Sequence, residues 1–259
     1  MQLASTGARL GPRRRRELIL TLRSRYVSAG QSEEQSLALP AAALWDMDGT
    51  LIDTEPYWIA AEIELVESFG GVWTHEDGYA MVGNPMSVAV TALRGRGVDL
   101  PDEEIADFLN GRVRAAVAAG VPWQPGAQEI LRALHDAGVP MALVTSSFRV
   151  LAQPFAEVVG LFDVVVSGDD VARPKPDPEP YLTAARLLGV PVERCVALED
   201  SRSGVASAVA SGARVVAVEV MQELEDREGL SRVRSLADLS LADLARIAAG
   251  DVLDLRPAA

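Results

Sequence analysis

The chain has 259 residues, a length that suits one catalytic unit or a core with a small inserted domain. Its formal net charge of −13 disfavours nucleic acid and anionic membranes as partners, because a negative surface repels both. The single cysteine, Cys195, excludes an intrachain disulfide and a cysteine-based zinc site, and it fits a cytoplasmic protein.

The first 39 residues differ in charge from the rest of the chain, since they hold seven arginines and three glutamates. An apolar stretch follows Arg16, but it is short and is interrupted at Arg23 and Arg25, which disfavours an export signal. No apolar run reaches the roughly 18 residues that a membrane-spanning helix needs. We therefore predict a disordered extension over residues 1–39 and a folded part that begins near Pro40.

The folded part begins with an apolar run at 41–45, which predicts a buried strand. Apolar residues at helical spacing then predict helices over 56–69, 85–95 and 101–119, with no clear strand between 56 and 123. Residues 56–123 are thus expected to form an inserted helical domain, and residues 40–55 and 124–259 to form the core.

After Pro125, apolar runs alternate with amphipathic segments. The pattern predicts strands at 139–144, 162–166, 195–198 and 214–218, and helices at 126–137, 148–159, 178–188, 203–211 and 241–248. Such alternation indicates an α/β fold with a Rossmann-like parallel sheet, covered by helices on both faces, and a small inserted all-helical domain. Ligands of such sheets bind at the carboxyl ends of the strands, so we expect the chemistry in the loops after 45, 144, 166 and 198.

Two carboxylates follow the first predicted strand, in the segment Asp46-Met47-Asp48-Gly49-Thr50. Asp46 and Asp48 are two residues apart and point to one side of an extended backbone, where they repel each other unless a cation lies between them. Gly49 allows a tight turn that brings backbone N–H groups close to an anion. The alternative is an acidic loop that caps a helix.

Two further segments follow other predicted strands and carry groups that bind phosphate. Thr145, Ser146 and Ser147 lie before a helix, where their hydroxyls suit a phosphate oxygen but also suit an ordinary helix cap. Lys175 lies between two prolines and is the only lysine beside 23 arginines. A compact ammonium group can neutralise a carboxylate and a phosphate together in a narrow space. A solvated loop lysine is the alternative.

Glu199 and Asp200 are adjacent carboxylates after the strand predicted at 195–198. They could complete an oxygen cage for a metal ion or could be acids at a helix N-terminus.

Together, these four segments resemble the four motifs of the haloacid dehalogenase-like superfamily, and the resemblance covers about residues 41–220. Asp46-Met47-Asp48-Gly49-Thr50 is similar to its nucleophile motif, Thr145 to its hydroxyl motif, Lys175 to its lysine motif, and Glu199-Asp200 to its acidic motif. The helical insertion lies where this family places a helical cap domain. Residues 51–56 are similar to the opening of its sugar-phosphate phosphatases and of beta-phosphoglucomutase.

The resemblance implies a magnesium-dependent phosphatase of a small phosphorylated metabolite. Asp46 would attack phosphorus, and Asp48 would act as general acid and base. Thr145 and Lys175 would bind the phosphoryl group, together with Gly49 and Ser146. Mg²⁺ would be held by Asp46, the backbone carbonyl of Asp48 and Asp200, with Glu199 close by.

Two cap residues depart from the pattern of relatives. Asn84 stands where many relatives carry a basic, substrate-contacting residue, and Trp58 stands near a histidine of beta-phosphoglucomutase. Both are candidate substrate contacts. The replacement of that histidine argues against the first alternative, a phosphomutase. A second alternative is a non-catalytic protein that binds a phosphorylated ligand. The sequence does not distinguish a monomer from a homodimer.

Overall fold

A computed structural model describes residues 37–220, 224–225 and 227–257. The predicted extension over residues 1–39 therefore lies almost entirely outside the described residues. No helix within these ranges is long and apolar enough to cross a membrane.

The centre of the molecule is a six-stranded sheet in which every neighbouring pair of strands is parallel. The spatial order is β3-β2-β1-β4-β5-β6, so the chain builds outwards from β1 on one side and then on the other. The strands are β1 (Ala42–Trp45), β2 (Met141–Val144), β3 (Val164–Val166), β4 (Cys195–Glu199), β5 (Arg214–Val218) and β6 (Leu230–Val233). This sheet confirms the predicted α/β fold class.

Nine α-helices occur in the described part of the chain, and most of them lie close to their predicted positions. They are α1 (Glu55–Ser68), α2 (His75–Tyr79), α3 (Met86–Gly95), α4 (Asp102–Ala119), α5 (Ala127–Asp136), α6 (Arg149–Val159), α7 (Glu179–Leu188), α8 (Arg202–Ser211) and α9 (Leu241–Ala249). Short 3₁₀ turns at Val192–Arg194 and Leu236–Asp238 precede β4 and α9.

The strands are mainly apolar because helices cover both faces of the sheet, and their charged residues are Glu199 at the end of β4, Arg214 at the start of β5 and Arg232 in β6. Successive side chains of a strand point to opposite faces, so Trp45 of β1 belongs to one apolar cluster and Leu44 to a second cluster on the other face. All four residues of β1 and all four of β2 are buried. The sheet edge that carries the candidate site is therefore fixed by packing from both sides.

Strand β6 and the short helix α2 were not predicted. In β6, the charged Arg232 conceals the apolar pattern, yet its side chain is buried and its guanidinium forms an ion pair with buried Glu219. Glu219 also accepts a hydrogen bond from Arg256, at 3.0 Å. Paired charges can be buried, so a charged residue did not exclude a strand at this position.

The inserted helices α1 to α4 supply a third apolar cluster, whose members all lie between residues 58 and 109. The chain enters and leaves this region side by side: the Asp53 amide donates to the Pro122 carbonyl at 2.8 Å, and the Gln124 amide to the Leu51 carbonyl at 2.9 Å. Val113 and Val117 of α4 pack into the first cluster instead. The division into a core and a cap at 56–123 stays a prediction.

The glycine before α5 is a point of close backbone contact. Gly126 has a φ of +83°, and a Cβ added there would lie 2.1 Å from the Ala237 backbone nitrogen. Gly138, after α5, has a φ of +73°, but an added Cβ would have no described atom within 4 Å. Gly126 is thus required both by its positive φ and by the lack of space for a side chain, whereas Gly138 is required by its positive φ alone.

We predict that Gly126→Ala destabilises the protein more than Gly138→Ala. The left-handed backbone should cost about 1–2 kcal/mol in both variants, and the steric conflict with Ala237 should add about 1–3 kcal/mol in the first. Urea unfolding measures both losses against the wild type. Equal losses would show that the contact between Gly126 and residue 237 is not tight.

Candidate active site

The segment after β1 forms a tight loop against the loop after β4. The Gly49 amide donates to the Ile52 carbonyl at 2.8 Å, and the Leu51 amide donates to the Met47 carbonyl at 2.9 Å. Gly49 has a φ of +88°, and an added Cβ would lie 2.1 Å from Oδ2 of Asp200. Glycine at this position lets the two acidic segments approach each other.

The Lys175 side chain lies in the middle of the site and is only 3% exposed. Its ammonium group donates to Asp46 Oδ1 at 2.7 Å and to the Val144 carbonyl at 2.9 Å, and it also contacts Glu199 Oε1. Burial alone would lower the pKa of Lys175, but the negative charges of Asp46 and Glu199 raise it above its usual value. Lys175 therefore stays charged and joins the ends of β1, β2 and β4.

Glu199 is fully buried at the end of β4, and both of its carboxylate oxygens have hydrogen-bond donors. Oε1 accepts from Lys175 and from the Tyr181 hydroxyl, the latter at 2.7 Å. Oε2 accepts from the Ser201 hydroxyl at 3.1 Å. A Cβ added at Gly204 would lie 2.0 Å from Cδ of Glu199, so the backbone of α8 also packs against this carboxylate.

Asp48 is held by three hydroxyl groups. Thr54 donates to Oδ1 at 2.5 Å, and Ser147 donates to Oδ2 at 2.7 Å, with Thr145 at the longer distance of 3.4 Å from Oδ2. Burial raises the pKa of Asp48 above its usual value, although these hydrogen bonds act in the opposite direction. A carboxyl group with a raised pKa is suited to carry a proton in the site.

Negative charge exceeds positive charge at this end of the sheet. Burial and Glu199 raise the pKa of Asp46 to about 7, and burial together with Asp46 and Glu199 raises the pKa of Asp200. One oxygen atom from each of Asp46, Glu199 and Asp200 lies within 4.8 Å of the others. Thr50 fixes Asp200 through a hydrogen bond of 2.9 Å. A buried set of carboxylate oxygens fits a hard divalent cation.

The structure brings together most of the residues predicted from the motifs. Lys175 joins Asp46 to Glu199, and an oxygen of Asp200 lies within 4.8 Å of both carboxylates. Thr145 contacts Asp48 in a second group at the same end of the sheet, and Gly49 packs against Asp200.

Three predicted residues lie apart from this network. Ser146 is exposed, and it is the next residue, Ser147, that contacts Asp48. Asn84 is exposed between α2 and α3, where its side-chain amide donates to the Ala80 carbonyl at 3.0 Å. Trp58 is half-buried and packs against both the first and the third apolar clusters, at the junction of the core with the inserted helices.

Four residues of the site were not assigned from the sequence: Ser147, which lies beside Ser146 in the predicted hydroxyl segment, and Thr54, Tyr181 and Ser201. Ser147 and Ser201 follow predicted strands, so their positions were a usable signal. Thr54 lies six residues beyond Asp48, and Tyr181 lies inside a predicted helix. Only the folded backbone brings those two to the carboxylates.

The comparisons with known proteins agree on one family. The family model of haloacid dehalogenase-like hydrolases matches residues 40–212. The chain is 34% identical to hexitol phosphatase A of Escherichia coli over 68% of this chain and 81% of that protein. It is 30% identical to the phosphorylated carbohydrates phosphatase of Thermotoga maritima, over 76% of this chain and 92% of that protein.

A solved structure gives the same result for the fold. A crystal structure of a CbbY variant from Rhodobacter sphaeroides in complex with xylulose-1,5-bisphosphate is 28% identical in sequence, with a TM-score of 0.71. The match covers 80% of this chain and 99% of that one. The chain belongs to the haloacid dehalogenase-like hydrolases. The relatives named as phosphatases confirm the predicted enzyme class, a phosphoric monoester hydrolase.

We predict that Gly49→Ala impairs catalysis far more than a comparable change elsewhere. The added methyl group must displace the Asp200 carboxylate, and a displacement of about 1 Å in an active site can cost on the order of 100-fold in rate. Gly70→Ala is the matched control, because Gly70 has a similar φ of +76° but no described atom within 4 Å of an added Cβ.

Hydrolysis of a chromogenic phosphate monoester measures both variants, and circular dichroism verifies that they are folded. Equal activity of folded Gly49→Ala and Gly70→Ala proteins would refute the close contact between Gly49 and Asp200.

Proposed function

We propose that this protein is a magnesium-dependent phosphatase that hydrolyses a sugar phosphate through an aspartyl-phosphate on Asp46. The observation that carries the proposal is the buried Lys175 ammonium group bonded to Asp46 at 2.7 Å, within a cluster of carboxylates that exceeds it in charge. Such a cluster suits the binding of a cation and a phosphate together. Family membership and the phosphatase relatives support this chemistry.

Asp46 and Asp200, with the backbone carbonyl of Asp48, would hold the magnesium ion. Glu199 belongs to the same carboxylate cluster, but both of its oxygens already accept hydrogen bonds, so we assign it to anchoring Lys175. Bound Mg²⁺ would reduce the repulsion between Asp46 and the phosphate and stabilise the charge of the transferring phosphoryl group.

The chain's own residues would then divide the reaction into two steps. A carboxylate oxygen of Asp46 attacks phosphorus, and Asp48 donates a proton to the leaving oxygen. Asp48 next takes a proton from the water that hydrolyses the aspartyl-phosphate. Lys175 and Thr145 bind the phosphoryl oxygens, with Ser146 and the Gly49 turn as further contacts.

Hydrolysis is favoured over the phosphomutase alternative by the relatives found through sequence. The two curated relatives described above are named as phosphatases of hexitol phosphates and of phosphorylated carbohydrates. Trp58 packs against the first and third apolar clusters, and we assign its indole to contact with the leaving group. Asn84, on the exposed surface of the inserted domain, would contact it only if that domain closes over the site.

We predict magnesium-dependent phosphate release from sugar phosphates that is lost in Asp46→Asn. An amide is a far poorer nucleophile than a carboxylate, so kcat should fall by at least about 1000-fold. Phosphate release is measured with magnesium and with EDTA, and acid-quenched enzyme is analysed by mass spectrometry for a phosphoryl group on Asp46.

Asp107→Asn is the matched control, because Asp107 is an exposed aspartate of α4. It should keep the wild-type rate. Full turnover by Asp46→Asn would disprove the assigned nucleophile, and full turnover in EDTA would disprove the metal requirement.

We further propose that the substrate carries a single phosphate. Three arginines of the inserted domain are already paired with acids of the same domain: Arg94 with Asp102, Arg96 with Asp77, and Arg112 with Glu64. A second phosphate would therefore compete with existing ion pairs.

The segment next to Asp48 carries further negative charge. Burial and the negative charges of Asp48 and Asp53 raise the pKa of Glu55 to about 7, so this carboxyl group interacts electrostatically with the acids near Asp48. A carboxylate there would repel a second phosphate but can accept hydrogen bonds from sugar hydroxyls.

We predict that kcat/KM for a sugar monophosphate exceeds that for the matching bisphosphate by at least roughly tenfold, because like-charge contacts cost several kcal/mol. Fructose 6-phosphate and fructose 1,6-bisphosphate form a suitable pair. A preference for the bisphosphate would contradict this expectation, and the exposed Arg114 of α4 would then be the first cation to replace.

A further inference from the structure

Tyr181 is a buried, titratable residue to which the proposed reaction gives no role. It lies in the first turn of α7 and is 0% exposed. Its ring belongs to the apolar cluster that contains Leu44 and Val144, on one face of the sheet. A phenol hydroxyl in such surroundings is costly to bury unless it has a hydrogen-bond partner.

The Tyr181 hydroxyl points out of the apolar cluster towards the candidate active site. It donates to Glu199 Oε1 at 2.7 Å, a hydrogen bond to a buried carboxylate and therefore stronger than one between neutral groups. Burial and the negative charge of Glu199 raise the pKa of Tyr181 well above its usual value, so the hydroxyl keeps its proton and remains a donor.

The same residue contacts Lys175 directly. The Lys175 ammonium nitrogen lies 5.2 Å from the centroid of the Tyr181 ring, within the range of a cation–π interaction. Lys175 and Tyr181 thus share Glu199 Oε1 and also face each other. Ser201 holds the other oxygen of Glu199, so the carboxylate has little freedom to turn.

We infer that Tyr181 is a positioning residue, which holds Glu199 and Lys175 so that the lysine ammonium stays against Asp46. This inference rests on the proposed function. Without the hydroxyl, Glu199 Oε1 would accept a hydrogen bond from Lys175 alone. The carboxylate could then move with Lys175 away from Asp46, and the phosphoryl group would lose the cation that faces it.

Tyr181→Phe tests this role, because it removes the donor but keeps the ring and its contact with Lys175. We expect kcat to fall by roughly tenfold, as for the loss of one hydrogen bond to a charged group. The KM for a sugar phosphate should change by less than about twofold, because Lys175 acts on the transferring phosphoryl group rather than on the sugar. The inhibition constant of orthovanadate should rise together with the loss of kcat, because vanadate occupies the phosphoryl position.

Ser211→Ala is the control, since it also removes a buried hydroxyl, one that donates to the Ala208 carbonyl within α8. It should lower stability in urea without changing kcat or vanadate inhibition. A merely structural role of Tyr181 would reduce the fraction of active enzyme but leave the vanadate constant unchanged.

The experiment distinguishes a failure of the proposed phosphatase function from a failure of the positioning role of Tyr181. An inactive wild-type protein would refute the proposed phosphatase function. An active wild type with an unchanged kcat and vanadate constant in folded Tyr181→Phe would overturn the positioning role alone. A Tyr181→Phe loss confined to KM would also overturn it, since the hydroxyl would then act on substrate binding.

Discussion

The buried ammonium group of Lys175 is the contact on which the arrangement of the site depends. It joins Asp46 after β1, the Val144 carbonyl at the end of β2 and Glu199 at the end of β4, three strands that lie side by side in the sheet. Each carboxylate alone would be costly to bury, and removing the lysine would leave charges of one sign in a low-dielectric interior. The parallel sheet places these groups side by side, and the positive charge of Lys175 offsets part of the cost of burying the carboxylates.

Sequence patterns were sufficient for most of the fold because β1 to β5 are short apolar runs with charged residues only at their ends. Strands β1, β2 and β4 are buried along their whole length, which is the expected pattern for a sheet covered on both faces. Strand β6 broke this rule: Arg232 is buried through its pairing with Glu219, a residue 13 positions away in the sequence. A local pattern cannot show such a partner, so the strand was not recognised.

Most of the candidate site, like most of the fold, could be predicted from the sequence. Carboxyl ends of neighbouring parallel strands lie at the same edge of the sheet, which is why the sequence alone groups Asp46, Thr145 and Glu199. The direction in which a side chain points within a loop does not follow from that rule. Ser146 and Ser147 were equally plausible hydroxyls, and the turn before α6 directs the second one to Asp48. Glu199 was expected near the metal, but its donor Tyr181 lies inside a helix, and only the fold brings that hydroxyl to Glu199.

The site contains four carboxylate groups, and the hydrogen-bond donors and charges around each one suit it to a different role. Asp48 is surrounded by hydroxyl groups and has no cation within hydrogen-bond distance among the described residues, which favours proton transfer. Asp46 shares the Lys175 ammonium group with Glu199, and this cation partly offsets the effect of burial, which raises the pKa of Asp46. Glu199 accepts hydrogen bonds on both oxygens, which is why we propose that it anchors Lys175 rather than binding the metal ion. Asp200 has Thr50 on one oxygen and retains the capacity to bind a cation. We therefore expect the role of each carboxylate to depend on the groups that donate hydrogen bonds to it. Replacing one of these donors should change the role of its carboxylate, although the carboxylate itself is kept.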